Sequence, residues 1–425
     1  MKVMWVSTAI VGPIAQILNS DYNRSSGTWI TNEYDEYPNK SDIVFLCGTR
    51  KKIDGLYEYA KNEHGEAYGV ELPTPATGVL PGEKFLNAIR TIIDREKPDI
   101  IHIWGTETCL QTAVAIASPN IAKVVFIQGI IGIHSRYWSG YLKLSKRYFA
   151  SINGIKHKYT EKIQGRLFIR QGEIEKRIIK ESKHVIIDNM FSQAYCESID
   201  KSIQCHYKKL KANTVFQNTV WKYDECEKES LFTIYGPRPD KGLHQLLIGL
   251  NIVKSKHPNV VLKIPGYFSF DTDNYGKIVN KNKQCTPFEN WLFDYITQNN
   301  LRDNVIFLGK LSQEEMAKNI QKCNLFVNPS IMEVHCLSLR EAMTVGAPCI
   351  SSVCGSVVEY LINKENGFLY RYEEPEILAF LISMLLENPE TAINIGNKAR
   401  ESMLNNNNKV TSLTDIYNDI LKSSE

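Results

Sequence analysis

Short apolar runs bounded by turn residues recur along the chain, with segments of helical period between them. Residues 2–7, 42–48, 98–107, 123–129 and 184–189 read as strands of a first half, with 184–189 its last. Residues 231–235, 260–266, 304–311, 325–327 and 349–353 read as strands of a second. Helical spacing marks 85–96, a segment from about 192, 243–253, 375–387 and the amphipathic tail 412–422. Near-continuous apolar strands alternating with helices are the pattern of parallel sheets covered on both faces. Residues 221–230 are polar and lack periodicity, which reads as a linker. The division expected is therefore 1–220, a linker at 221–230, a second domain at 231–405, and a tail at 406–425 that packs back across the first domain. No repeat is found.

Length supports that division, since 425 residues exceed one typical domain and suit two. The net charge of +3 implies no nucleic-acid partner, and no nucleic-acid module is recognised. Ten cysteines lie scattered, with no C-x-x-C pair and no zinc spacing, as expected of reduced thiols in a cytoplasmic protein. The longest apolar runs, 122–133 and 377–386, are too short to span a bilayer. The N-terminus resembles a buried first strand more than a signal peptide.

Candidate chemistry concentrates in residues 323–371. Leu325–Val327 is a strand stopped by Asn328-Pro329-Ser330. Ser338-Leu339-Arg340-Glu341 reads as a capping box opening a helix that stops at Gly346, with Pro348 beyond. Residues 349–353 form the next strand, and Gly355 turns the chain into a helix over 357–362. Ligands of such sheets collect where strand C-termini meet helix N-termini, the rim on which Glu333 and Glu341 fall. An isolated Ser-x-x-Glu is most often only a cap, with Glu341 bonding back to Ser338; the surrounding constellation reverses that preference.

Glu333, seven intervening residues, Glu341, then Gly346-Ala347-Pro348, Gly355, Glu359 and Asn366-Gly367 resemble the signature of glycosyltransferase family 4. The resemblance implies that Glu341 holds the donor ribose hydroxyls and that Glu333 contacts the transferred sugar. It also implies that the backbone of Val334, His335, Cys336 and Leu337 faces sugar and pyrophosphate. The chemistry suits these roles, because a carboxylate accepts two hydroxyls at once and a helix N-terminus favours anions. His335-Cys336 and Ser356 stand where the family usually has Phe-Gly and a second glycine, which bears on sugar preference.

Further segments extend the resemblance. Gly27 stands where the family carries a glycine-rich loop under the pyrophosphate; a plain turn is the competing reading. The phrase around His102 to Glu107 is a recurrent segment of the family's first domain. Gln128 stands where many members have a histidine near the reacting carbon; its amide can position a sugar hydroxyl but cannot act as a base. His134 is an acceptor-side candidate or a loop histidine. Arg238 and Lys241, before Gly242, resemble the basic pyrophosphate clamp, although Arg238 lies nearer Lys241 than the family spacing. Lys310 and Leu311 follow the glycine whose neighbours contact the base. Asp271-Thr272-Asp273 lacks further carboxylates, so no metal is assigned. Residues 143–183 interleave Lys and Arg with aromatics. That suits an anionic membrane surface or a lipid-pyrophosphate acceptor, and equally a solvated helical face.

The fold so implied is α/β GT-B, two doubly wound Rossmann-like domains with an interdomain cleft. The activity implied is retaining, metal-independent transfer from a nucleotide sugar, taken as a UDP-sugar, to a glycan or lipid-linked acceptor, with no cofactor. The expected location is cytoplasmic, peripheral to the membrane where residues 143–183 bind it. A nucleotide-sugar epimerase or hydrolase, and a non-catalytic partner subunit, are the alternatives.

Overall fold

The structure, a computed structural model, describes residues 1–8, 10–18, 28–150, 152–210, 212–233, 236–405 and 411–424. Gly27 lies outside the described residues. Chain contacts divide the molecule into two compact units, each a doubly wound α/β sheet. One comprises 1–136, 164–210 and 410–425, the other 137–163 and 211–409.

In the first unit the strands are β1 (Val3–Ser7), β2 (Ile43–Thr49), β3 (Glu58–Asn62), β4 (Gly65–Glu71), β5 (Ile100–Trp104), β6 (Ala122–Phe126), β7 (Lys183–Ile187) and β8 (Gln204–Tyr207). They lie in the order β3-β4-β2-β1-β5-β6-β7-β8. All pairings are parallel except β3 with β4. Met4, Val6, Val44, Leu46, Ile101 and Ile103 face one core with helices α3 (Glu83–Glu96) and α4 (Cys109–Ala117). The opposite side is aromatic. Trp5 meets Phe45, Tyr34 and Tyr37 edge-on, and His102 stacks on Trp104 at 4.0 Å. The C-terminal helix α15 (Leu413–Ser424) belongs here, its Tyr417 hydroxyl 2.6 Å from His102 Nδ1. Burial, with Lys208 adding to it, holds the His102 ring well below its ordinary titration range.

The second unit holds β9 (Ser230–Thr233), β10 (Val261–Ile264), β13 (Val305–Phe307), β14 (Leu325–Asn328), β15 (Cys349–Ser352) and β16 (Phe368–Tyr370), all parallel, in the order β13-β10-β9-β14-β15-β16. A small antiparallel pair, β11 (Asp271–Thr272) with β12 (Ile278–Asn280), stands apart. Strand alternation sends Leu231, Leu325 and Val327 to one core and Phe232 and Phe326 to the other. Helices α9 (Leu243–Val253), α10 (Pro287–Gln298) and α13 (Pro375–Glu387) cover the first face. Helices α11 (Gln313–Lys322), α12 (Leu337–Val345) and α14 (Pro389–Asn405) cover the second.

Several elements differ from the sequence expectation. The β3–β4 hairpin and the edge strand β8 carry too few apolar residues to announce themselves, so β7 is not the last strand of its sheet. Residues 221–230 are no free linker: Trp221 is buried, and its indole donates to the Cys323 carbonyl at 2.7 Å. Residues 137–163, expected in the first domain, group with the second unit. After β15 the chain forms a 3-10 turn, Gly355–Glu359, rather than an α-helix.

Candidate functional site

In the second sheet the chain leaves β9 toward β10 and later crosses to β14 on the other side. The topological switch point, where doubly wound sheets bind ligands, lies between β9 and β14. The loop after β9 carries Lys241 and the loop after β14 carries Glu333.

The first loop ends in a 3-10 turn, Pro239–Lys241, closed by Gly242 at φ +73°. Only glycine fits there, since a Cβ would lie 1.8 Å from the Pro329 carbonyl oxygen. The two loops are also stitched by Ile331 N–H donating to the Asp240 carbonyl at 3.0 Å. That close approach lets Lys241 Nζ donate to Glu333 Oε1 at 2.5 Å, with the side chains 22% and 13% exposed. Burial acts to lower the Lys241 pKa, but the Glu333 charge and hydrogen bond outweigh it and hold the ammonium above its ordinary value. Arg238 is engaged elsewhere. Its Nε and Nη2 donate to the two Asp240 oxygens at 3.0 and 2.5 Å, and its guanidinium lies over Trp138 at 5.0 Å. Of these two basic residues Lys241 is therefore the one that faces Glu333, with Arg238 bracing the turn beside it.

After Glu333, Val334, His335 and Cys336 are buried and Leu337 begins α12. Gly355, at φ +46°, packs on this loop so tightly that a Cβ would lie 1.6 Å from the Glu333 carbonyl oxygen. Ser356, where the sequence resemblance expects a glycine, donates its hydroxyl to the Val334 carbonyl and so ties the two loops. Asn366 is likewise structural, accepting from Ile362 N–H and donating to the Tyr360 carbonyl.

The capping-box expectation fails. The residue before α12 is Cys336, left-handed at φ +43°, and no side chain caps the helix. Ser338 already lies inside it, so Glu341 falls in the second turn and bonds back to nothing. Among the described residues the Glu341 carboxylate meets no cation and no donor, and desolvation raises it to about 8. The uncapped N–H groups at the start of α12 carry the positive end of its dipole. The Cys354 thiol is pushed up to about 12 by burial and by the Glu333 charge, so it stays protonated and inert.

Lys310, exposed, and Leu311, packed against the core, follow β13 at the edge of the sheet, two strands from β9. Asp273 accepts from the Tyr275 and Lys277 N–H groups, closing a turn. Among the described residues no three His, Cys, Asp or Glu gather as a metal site.

Gln128 and His134 belong to the first unit, Gln128 after β6 and His134 in helix α5 (Ile131–Tyr137), both partly exposed. The sequence reading missed their support. Glu175, buried in helix α6 (Ile152–Ser182), accepts from Thr106 Oγ1 (2.6 Å), Tyr195 OH (2.7 Å), Ile131 N–H (3.0 Å) and Gly132 N–H (3.3 Å). Gln171, one turn earlier, accepts from Gly78 N–H at 2.8 Å and donates to the Thr106 carbonyl. Together they fix the loops after β5 and β6, and β1 and β5 flank the switch point of that sheet. Beside them Glu107 is raised to about 7, by desolvation first and then by the Glu175 charge. The signal available was Gln171, Ile174, Glu175, Ile178 and Ile179 at helical spacing, one inward face carrying two polar residues.

Comparison with known proteins bears on both units. Sucrose-phosphate synthase from Thermosynechococcus elongatus superposes over 100% of this chain and 98% of its own, with TM-score 0.64 and 16% identity. Anabaena HepE in complex with UDP covers 100% and 99%, with TM-score 0.65 and 14% identity. The fold is thus the GT-B arrangement of two Rossmann-like domains. Among curated proteins, N-acetyl-alpha-D-glucosaminyl L-malate synthase of Bacillus anthracis is 30% identical over 128 residues, 29% of this chain and 33% of its own length. The capsular polysaccharide biosynthesis glycosyltransferase CapM of Staphylococcus aureus is 28% identical over 192 residues, 44% of this chain and 45% of its own. The chain thus spans about a third to a half of the length of these relatives. Residues 217–402, the segment that holds Lys241, Glu333 and Glu341, match the family model of the glycosyl transferases group 1.

Proposed function

We propose that the protein is a retaining glycosyltransferase that moves a sugar from a UDP-linked donor to a glycan or lipid-linked acceptor in cell-surface polysaccharide synthesis. The observation that carries this reading is the Lys241–Glu333 pair at the switch point, with the unpartnered Glu341 one helix turn beyond the same loop. Glu341 accepts the two ribose hydroxyls, and Glu333 contacts the transferred sugar. The acceptor hydroxyl oxygen forms the new bond to the anomeric carbon on the face from which the diphosphate departs. A leaving phosphate oxygen takes the acceptor proton, so no separate base is required. Lys241 neutralises the charge that develops on the departing diphosphate. The pairing with Glu333 keeps that ammonium ionised in a partly buried place until the donor arrives. The UDP assignment draws on the Anabaena HepE structures, which contain UDP and glucose. The polysaccharide assignment draws on the name of the capsular relative.

The test is incubation of the protein with UDP-sugars, with and without lipid-linked and glycan acceptors, in the presence of EDTA. Acceptor-dependent release of UDP that survives chelation, with the anomeric configuration kept in the product, is the expected result. Fast turnover or epimerisation of the donor without acceptor overturns the transferase reading. Inverted product overturns the stereochemical part, and loss of activity in EDTA the metal-independent part.

A further inference from the structure

Helix α6 is two helices in character. Its second half is ordinary: Glu173, Glu175 and Glu181 balance Lys176, Arg177 and Lys180, with ion pairs Lys176–Glu173 (2.8 Å) and Arg177–Glu181 (2.7 Å). There Ile178 and Ile179 point into the core. Over residues 152–170 the pattern reverses. Lys156, Lys158, Lys162, Arg166 and Arg170 face a single acidic residue, Glu161. Large apolar side chains turn outward instead: Ile155 is 50% exposed, Tyr159 67%, Ile163 52% and Ile169 58%. Ile155, Tyr159, Lys162, Ile163, Arg166 and Arg170 follow one another at three- and four-residue steps, or lie one residue aside, and so share one face. Among the described residues Lys162, Arg166 and Arg170 have no acidic partner.

We propose that this face of α6 docks on an anionic lipid surface, lying in the plane of the headgroups. An ordinary solvated face does not expose four bulky apolar side chains within about four turns. A protein partner fits poorly, because protein interface cores are depleted in lysine while here a basic residue interrupts the apolar ones at nearly every turn. A bilayer interface accepts that interleaving. Ile and Tyr enter the acyl boundary, and the Lys and Arg stems run beside them with their charges at lipid phosphates. Among the described residues no helix is long and apolar enough to cross a membrane. The docking is independent of the catalytic reading, and its test uses no sugar.

Full-length protein is sedimented with vesicles of phosphatidylcholine alone or mixed with phosphatidylglycerol. Binding to the mixed vesicles, absent with phosphatidylcholine and weakened by salt, is the expected result. The triple variant Ile155→Ser, Tyr159→Ser, Ile163→Ser and the double variant Lys162→Glu, Arg166→Glu should each lower partitioning by about tenfold or more. Both change exposed positions, so unchanged circular dichroism and thermal unfolding serve as the folding control. Failure of the wild type to sediment, equal binding to neutral vesicles, or variants that still bind overturns the proposal. So does a wild-type oligomer that the variants dissolve, which would make the face a protein interface.

Discussion

Each sheet has buried or half-buried carboxylate chemistry near its switch point, and the two sheets use it differently. Glu175 of the first unit accepts from two hydroxyls and two backbone N–H groups. Burial raises its pKa and those donors oppose the rise. Its oxygens are spent on holding loops. In the second unit Glu333 is paired with the Lys241 ammonium, and among the described residues the Glu341 carboxylate meets no cation and no donor. A carboxylate saturated by neutral donors is scaffold, whereas one left desolvated without a partner costs stability in the empty protein and recovers it when a ligand supplies hydroxyls.

The largest effect expected from that contrast is at Lys241. Lys241→Met should lower kcat by about 10²–10³ with a smaller change in KM, because the charge it meets develops chiefly in the transition state. Lys241→Arg should recover part of the loss. An undiminished kcat in initial-rate assays would mean that Lys241 merely anchors Glu333.

Stability separates the two kinds of carboxylate next. Glu175→Gln puts amide hydrogens where four donors converge and should cost about 1–3 kcal/mol in urea unfolding. Glu341→Gln removes a desolvated charge and should act in the opposite direction. Its folded pKa is raised above the unfolded value, so the wild type loses stability as pH climbs from the unfolded pKa toward about 8. The variant should gain on the order of 1–2 kcal/mol at pH 8, allowing for partial exposure, and nothing below pH 4. The same variant should weaken UDP binding by about tenfold, roughly 1.4 kcal/mol, in calorimetry. A Glu341→Gln protein that is less stable and binds UDP normally would put Glu341 with Glu175 among the scaffold residues.

How much of this was legible depends on what kind of signal each residue leaves. Lys241 and Glu333 occupy loops held close by glycines, since a Cβ on Gly242 or Gly355 would lie 1.8 or 1.6 Å from a carbonyl oxygen, so spacing carried the candidate site. The long buried strands were legible for the same reason that they are buried. The start of α12 was not, because a left-handed Cys336 leaves no mark in sequence and Ser338 offered a plausible cap two residues late. β3 and β8 are polar edge strands, and β4 beside β3 is short of apolar residues, so their positions are set by pairing rather than by their own pattern. Glu175 was hidden in a basic stretch, where one more acid looks like charge balance.

The finest test of the contrast is pH. In the empty protein Glu341 is raised to about 8 by desolvation alone, with no neighbouring charge to share the shift. Ribose hydroxyls donate to the ionised form, so nucleotide binding must first remove the proton. The ionised fraction grows from about a tenth at pH 7 to about a half at pH 8, and apparent affinity follows that fraction. UDP should therefore bind about fivefold more tightly at pH 8 than at pH 7 and gain little more above pH 9. Lys241, held above its ordinary value, stays charged throughout, and the nucleotide phosphates are already ionised. Calorimetry in buffers of different ionisation enthalpy should register proton release at pH 7 and none for Glu341→Gln. Scaffold carboxylates cannot give this signature, because their donors are present before the ligand arrives. A flat pH profile in the wild type would place Glu341 outside the nucleotide site while leaving Lys241 and Glu333 in it.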